Sequence, residues 1–242
     1  MKVDVLAIAA HPDDIELACG GTIAKLVHEG YHVAMAELTQ GELGTRGTKD
    51  IRAKEATAAA KILGVTIRRN LRIEDGNIEL SKKNLLKVVS LIRELRPTIL
   101  LIPPAVERHP DHVHAHQLCK EAWFYSGLQK MKTNLHDHLQ EPFRPDIYFQ
   151  FMQKFEFVPS FVVDVSEFFE TRMEAIRAHS SQFHNPKSKE RDTVLSKPDF
   201  LEQIRIRALY FGQTIGVRYG EPFVSPVPLG VKSFFDLVLS RG

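Results

Sequence analysis

Short apolar runs alternate with amphipathic stretches along most of this 242-residue chain, and that alternation restricts its fold more than any other feature. Residues 3–9, 32–38, 67–71, 98–102, 146–151 and 161–165 are rich in aliphatic and aromatic side chains and read as strands. Between them, residues 22–29 read as a helix closed by Gly30, and residues 51–63 as a helix stopped by Gly64. Residues 81–95 begin at Ser81, an N-cap, and repeat apolar groups at Leu85, Val88, Val89, Ile92 and Leu95 before Pro97 ends the stripe. One more helix is expected at 200–213. Strands separated by helices predict an α/β fold, a mostly parallel sheet with helices on both faces. Residues 184–199 are polar and carry Pro186 and Pro198, which predicts a mobile loop, and the Pro- and Gly-rich stretch 216–239 is expected to pack as an irregular cover. With no repeat and no clear linker, residues 1–242 read as a single domain.

Composition narrows the partners. A net charge of +2 gives no reason to expect nucleic acid or a membrane surface. No apolar run has the length of a membrane span. The start "MKVDVLAIAA" leads straight into the first motif, so no signal peptide is expected. Two cysteines, Cys19 and Cys119, make no disulfide framework and point to the cytoplasm.

Two of the apolar runs end in the same chemistry. "AIAAHPDDIELACGG" (7–21) passes from a strand into His11, Pro12, Asp13 and Asp14, and "ILLIPPAVERHPDHVHAH" (99–116) leads to His109, Pro110, Asp111 and His112. Ligands of parallel α/β sheets bind outside the carboxyl ends of the strands, so the two segments can meet although they are far apart in sequence. A catalytic zinc takes three ligands from histidines and carboxylates and keeps a fourth position for water. His11 and Asp14, three apart at a turn, can face one point, and His112 would be the third ligand. Asp13 is then placed beside the metal as a base, and His109, held protonated by Asp111, as donor to an oxyanion. Metal, base and oxyanion donor together describe hydrolysis of an amide or ester.

A single His-Pro-Asp-Asp is weak evidence, since an aspartate after a strand often caps a helix; Asp111 could equally be such a cap, with His112 at the first helical position. A pair at two strand ends is harder to explain by capping. His112 and His116 have the i, i+4 spacing of a helical zinc pair, but Val113 stands where that motif needs a glutamate. His114, His136 and His138 are expected in solvent, and Cys19 and Cys119 buried and reduced.

"AAHPDDIELACGGTIAKL" together with "ERHPDHVHAH" resembles the LmbE-like, or PIG-L-type, zinc-dependent deacetylases, which remove an acetyl group from N-acetylglucosamine units on a Rossmann-like fold. "LTQGELGTRGTKDIRAKEATAAAKILG", "NLRIEDGNIE", "EAWFYSGL" and "QTIGVRYGEPFVS" resemble the members that deacetylate N-acetylglucosaminyl malate in bacillithiol synthesis. The resemblance runs nearly end to end. It implies one zinc on His11, Asp14 and His112 (iron(II) suits the same ligands), Asp13 as base, His109 assisting the oxyanion with Asp111 orienting it, and Arg52 in contact with substrate. It also implies a homo-oligomer, often a hexamer. The two carboxylates of a malyl group call for arginine, and Arg46, Arg52 and Arg108 lie in or beside the motif loops. For Arg46 a plain surface charge explains as much. A metal-dependent phosphoesterase and a non-catalytic sugar-binding module stay open beside the deacetylase. The first would need two metals and more carboxylates, and the second would have no use for Asp13 and His109.

Overall fold

A computed structural model describes residues 2–238. Leu239, the last residue of the expected cover, lies outside the described residues. In chain order the elements are β1 (Val5–Ala9), α1 (Asp14–His28), β2 (Val33–Glu37), α2 (Lys49–Ile62), β3 (Ile67–Asn70), α3 (Lys82–Leu95), β4 (Ile99–Ile102), α4 (Pro110–Ser126), β5 (Asn134–Leu135), β6 (His138–Leu139), β7 (Ile147–Phe151), β8 (Phe161–Asp164), α5 (Phe169–Ala178), α6 (Phe200–Thr214) and β9 (Gly220–Val224), followed by one 3-10 turn, Phe234–Leu237. β5 and β6 form a separate two-stranded hairpin, and the other seven strands form one sheet in the order β3-β2-β1-β4-β7-β9-β8. The first five of these are parallel neighbours; β9 pairs antiparallel with both β7 and β8.

The period of two in the strands divides the core. Leu6 and Ile8 of β1 pack with Ala34, Leu100 and Ile102 under α3 and α4, whereas Val5, Ala7 and Ala9 pack with Met35 and Leu101 under α1, α2 and α5. Both faces are therefore covered, which is why these strands read as unbroken apolar runs. Each burial of a strand valine, leucine or isoleucine contributes about 1.5–3 kcal/mol.

The expected strands and helices are present to within a few residues, with four differences. The helix expected from 22 starts at Asp14 and is broken at Cys19 (φ −143°), so Thr22 stands near the start of its second half. Glu221 explains that restart, accepting from the N–H groups of Gly21 (2.9 Å) and Thr22 (2.7 Å) and from the Thr22 hydroxyl (2.6 Å). Glu221 belongs to β9, which lies in the stretch expected to be irregular. Pro222 is tolerated there because pairing with β7 extends only over Phe223 and Val224, so at Pro222 only the β8 side is paired. α5 and the β5–β6 hairpin, the third and fourth differences, were not read from the sequence. Residues 184–199 hold no helix or strand, as expected.

Candidate metal centre and catalytic cleft

β1 and β4 are adjacent parallel strands, and the chain leaves them on opposite sides, β1 toward β2 and β4 toward β7. This is the switch point where α/β sheets open a crevice. The two His-Pro-Asp segments follow directly and share one cleft of about 960 Å³.

At its floor His11, Asp14 and His112 present donor atoms within 4.8 Å of one another. Asp14 is the link: its Oδ2 is 3.4 Å from His11 Nδ1 and its Oδ1 is 3.2 Å from His112 Nε2. The backbone N–H of His11 also donates to Asp14 (2.9 Å), as does the Gln153 amide from the end of β7 (2.9 Å). Burial alone would raise the Asp14 carboxyl, but His112 and His11 outweigh it and hold the group well below the usual carboxylate range. Burial likewise opposes a charge on His11, and its contacts with Asp111, Asp14 and Asp75 overcome that and raise it. A second grouping, His11, His109 and Asp111, lies on the other side of the same imidazole.

Asp13 sits at the N-terminal boundary of α1 with φ 107°, a strained value for a residue with a side chain, worth about 1–3 kcal/mol. That turn aims Asp13 and Asp14 differently. The Asp13 side chain makes no cap bond to the helix and instead meets Arg52 Nη2 at 3.3 Å. Burial pushes its carboxyl up to about 6, against the pull of Arg52. Arg52, itself buried, also donates to the carbonyls of Pro12 (2.7 Å) and Gly41 (3.0 Å), so it fastens the first motif to the 40–48 loop.

His109, not Asp111, is the N-cap of α4, and Pro110 takes the first helical position. His109 Nδ1 accepts from the backbone N–H of Asp111 at 3.2 Å. The Asp111 carboxylate bonds to His11 Nε2 (3.2 Å) and to the N–H of Gly76 (2.9 Å), not to the His109 ring, although an oxygen of it lies within 4.8 Å of a His109 nitrogen. Burial, together with His11 and His112, lowers the affinity of His109 for a second proton. The geometry differs from the expected arrangement in one respect: His109 Nδ1 meets the backbone N–H of Asp111 rather than its carboxylate, a contact that favours a lone pair on Nδ1.

The arginines separate. Arg52 and Arg108 line the cleft, Arg108 exposed at its edge. Arg46 is buried elsewhere: its Nη1 donates to the Phe183 carbonyl (3.2 Å) and its Nε is 3.6 Å from Glu190, so it ties the 40–48 loop to the segment after α5. Among the other histidines, His116 is buried and bonded through Nδ1 to the Pro103 carbonyl (2.9 Å), while His114, His136 and His138 are exposed. Cys19 and Cys119 are buried free thiols.

Sequence reasoning missed two groups. Asp75, in the "EDG" turn after β3, reaches His11 Nε2 at 2.9 Å. Its only local signal was that of a turn residue. The outer cleft was missed as well, a lobe lined by Leu195, Phe200, Gln203, Ile206 and Tyr210 from the 184–199 segment and α6.

Residues 6–123 match the PIG-L family, described as GlcNAc-PI de-N-acetylase. Over 228 residues the chain is 33% identical to the diacetylchitobiose deacetylase of Thermococcus kodakarensis, a match covering 90% of this chain and 80% of that protein. It is 27% identical over 199 residues to a probable N-acetyl-α-D-glucosaminyl L-malate deacetylase 2 of Bacillus cereus, covering 75% and 84% of the two. Among solved structures, the conserved protein TT1542 of Thermus thermophilus superposes with a TM-score of 0.86 at 36% identity, over 99% of this chain and 100% of that one. Likeness of this extent, with the paired motifs at the switch point, means that the chain belongs to the PIG-L (GlcNAc-PI de-N-acetylase) family.

Proposed function

We propose that this protein is a zinc-dependent N-deacetylase, a hydrolase of a linear amide that removes the acetyl group from an N-acetylglucosaminyl conjugate. The observation that carries the reading is the meeting of His11, Asp14 and His112 around one point, with Asp13 buried beside them, at the floor of a cleft with room for a sugar and its aglycone. Two imidazoles and one carboxylate are the donor set of a catalytic zinc that keeps an open position, and the same donors suit iron(II). Bound there, zinc supplies Lewis acidity that polarises the acetyl carbonyl and acidifies water.

The chain's own groups do the rest. Asp13, with its carboxyl near 6, accepts the proton of the attacking water and passes it to the departing amine. His109 donates its Nε2–H to the oxyanion, and the Asp111 N–H on Nδ1 fixes that tautomer. Arg52 holds Asp13 in place beside the cleft. The two buried free thiols suit a reducing compartment such as the cytoplasm, and the exposed Phe234 and Phe235 suit an interface between copies of the chain.

For the aglycone, L-malate is favoured by Arg108, a cation exposed at the cleft edge, and by the Bacillus cereus relative. A second sugar is favoured by the outer lobe, where Ile206 and Tyr210 offer an apolar and aromatic surface, and by the Thermococcus relative. Amine release from N-acetylglucosaminyl malate, diacetylchitobiose and plain N-acetylglucosamine, measured side by side on zinc-loaded protein, tests the reading. Release from none of the three refutes the deacetylase. Preference for the malate conjugate should disappear in Arg108→Ala; equal losses on all three substrates would remove Arg108 from recognition.

A further inference from the structure

The imidazole of His11 is held from both ends, and the two ends differ in kind. Nδ1 faces the cluster with Asp14 and His112, 3.4 Å from the Asp14 carboxylate. Nε2 faces a carboxylate 64 residues further along the chain, Asp75 Oδ1 at 2.9 Å. The Asp75 side chain is buried and its other oxygen is engaged, accepting the backbone N–H of Leu43 at 2.9 Å. Its own N–H donates to Glu42 at 3.0 Å, so the 40–48 loop fixes the carboxylate from two sides. Asp111 also lies near His11 Nε2, but farther away at 3.2 Å, and the same Oδ2 is shared with the N–H of Gly76.

An imidazole that binds metal through one nitrogen donates from the other, and a carboxylate at that second nitrogen locks the tautomer and the ring plane and makes the ligand more basic. We infer that Asp75 is a positioning residue for the metal centre: it keeps the His11 proton on Nε2 and turns the Nδ1 lone pair toward Asp14 and His112. The inference rests on the reading of His11 as a metal ligand. It also gives the 40–48 loop a part in metal binding, since Leu43 and Glu42 of the loop hold Asp75 against His11.

Asp75→Asn probes this with little change of shape. An amide has one acceptor and one donor side, whereas Asp75 accepts from both Leu43 and His11. With its oxygen toward Leu43, the amide donates to His11 Nε2 and moves the ring proton to Nδ1, the metal face. With the amide reversed, donor meets donor at Leu43 and the loop loses its tether. The readout is the zinc dissociation constant, from competition with a chromophoric chelator in the absence of any substrate. The variant should bind zinc 10- to 100-fold more weakly than wild type, with kcat largely restored at saturating zinc. An unchanged zinc constant with only KM raised would overturn the inference, making Asp75 a substrate contact. Wild-type protein that binds no zinc would overturn the metal reading itself, a distinct result. Should the variant not fold, 15N-histidine NMR of zinc-loaded wild type decides the matter: His11 should carry its proton on Nε2, and a proton on Nδ1 refutes the positioning role.

Discussion

Replacing Asp13 by asparagine keeps the shape of the side chain and its partner Arg52 while removing the charge and the base. Arg52 stays anchored by the Pro12 and Gly41 carbonyls, so the fold has no reason to rearrange. In the zinc-free protein, burial raises the Asp13 carboxyl from its ordinary 3.8 to about 6. The folded state therefore binds this proton more tightly than the unfolded chain does. The ionised carboxylate lowers stability fully above about pH 6, and the penalty fades as pH falls from about 6 toward 3.8. At about 1.4 kcal/mol per tenfold change in proton affinity, the penalty at pH 7 is about 3 kcal/mol. Asp13→Asn should recover about 1–3 kcal/mol of it, read as a higher urea midpoint for zinc-stripped variant than for zinc-stripped wild type at pH 7, with the gap closing toward pH 4. Activity should move the other way. Loss of a general base costs about 10²–10⁴-fold in rate, or about 3–5 kcal/mol of barrier, with zinc content unchanged. A variant less stable than wild type at pH 7, or one retaining more than a tenth of the activity, would refute the assignment of Asp13 as a buried base.

Other substitutions test the frame around the site. His112→Ala should lose bound zinc and activity together, seen by metal analysis of the purified protein. Arg68 pairs at 2.6 Å with both Glu16 and Glu37, two buried carboxylates, so Arg68→Met should cost about 3–5 kcal/mol in the urea midpoint; a loss under 1 kcal/mol would mean the cluster relaxes or takes up protons. In Gly21→Ala the new Cβ would sit 2.9 Å from both Glu221 Oε1 and Val165 Cβ, which should lower stability by about 1–3 kcal/mol and melt the protein several degrees earlier. If a second sugar fills the outer lobe, Tyr210→Ala should raise KM for diacetylchitobiose and leave that for plain N-acetylglucosamine unchanged.

What the sequence determined by itself is what short-range periodicity can carry. The alternation of buried strands with amphipathic helices specified a mostly parallel sheet, and the two His-Pro-Asp segments marked the ends of β1 and β4 as one place. Those signals are local: each strand shows its burial in its own residues, and each motif lies within a single turn. Tertiary structure decided the rest, because the partners are distant and sit on segments without a repeating pattern. Asp75 meets His11 across 64 residues from a turn that looks like any Asp-Gly turn. Asp111 bonds through its carboxylate to His11 and Gly76, partners 100 and 35 residues away, and only through its backbone N–H to the His109 ring. Arg46, alike to Arg52 in sequence, is drawn to Phe183 and Glu190 and leaves the cleft. β9 hides in a Gly- and Pro-containing stretch because its place in the sheet, and the pairing of Glu221 with Gly21, Thr22 and Arg172, depend on strands and helices that no window of its own sequence contains.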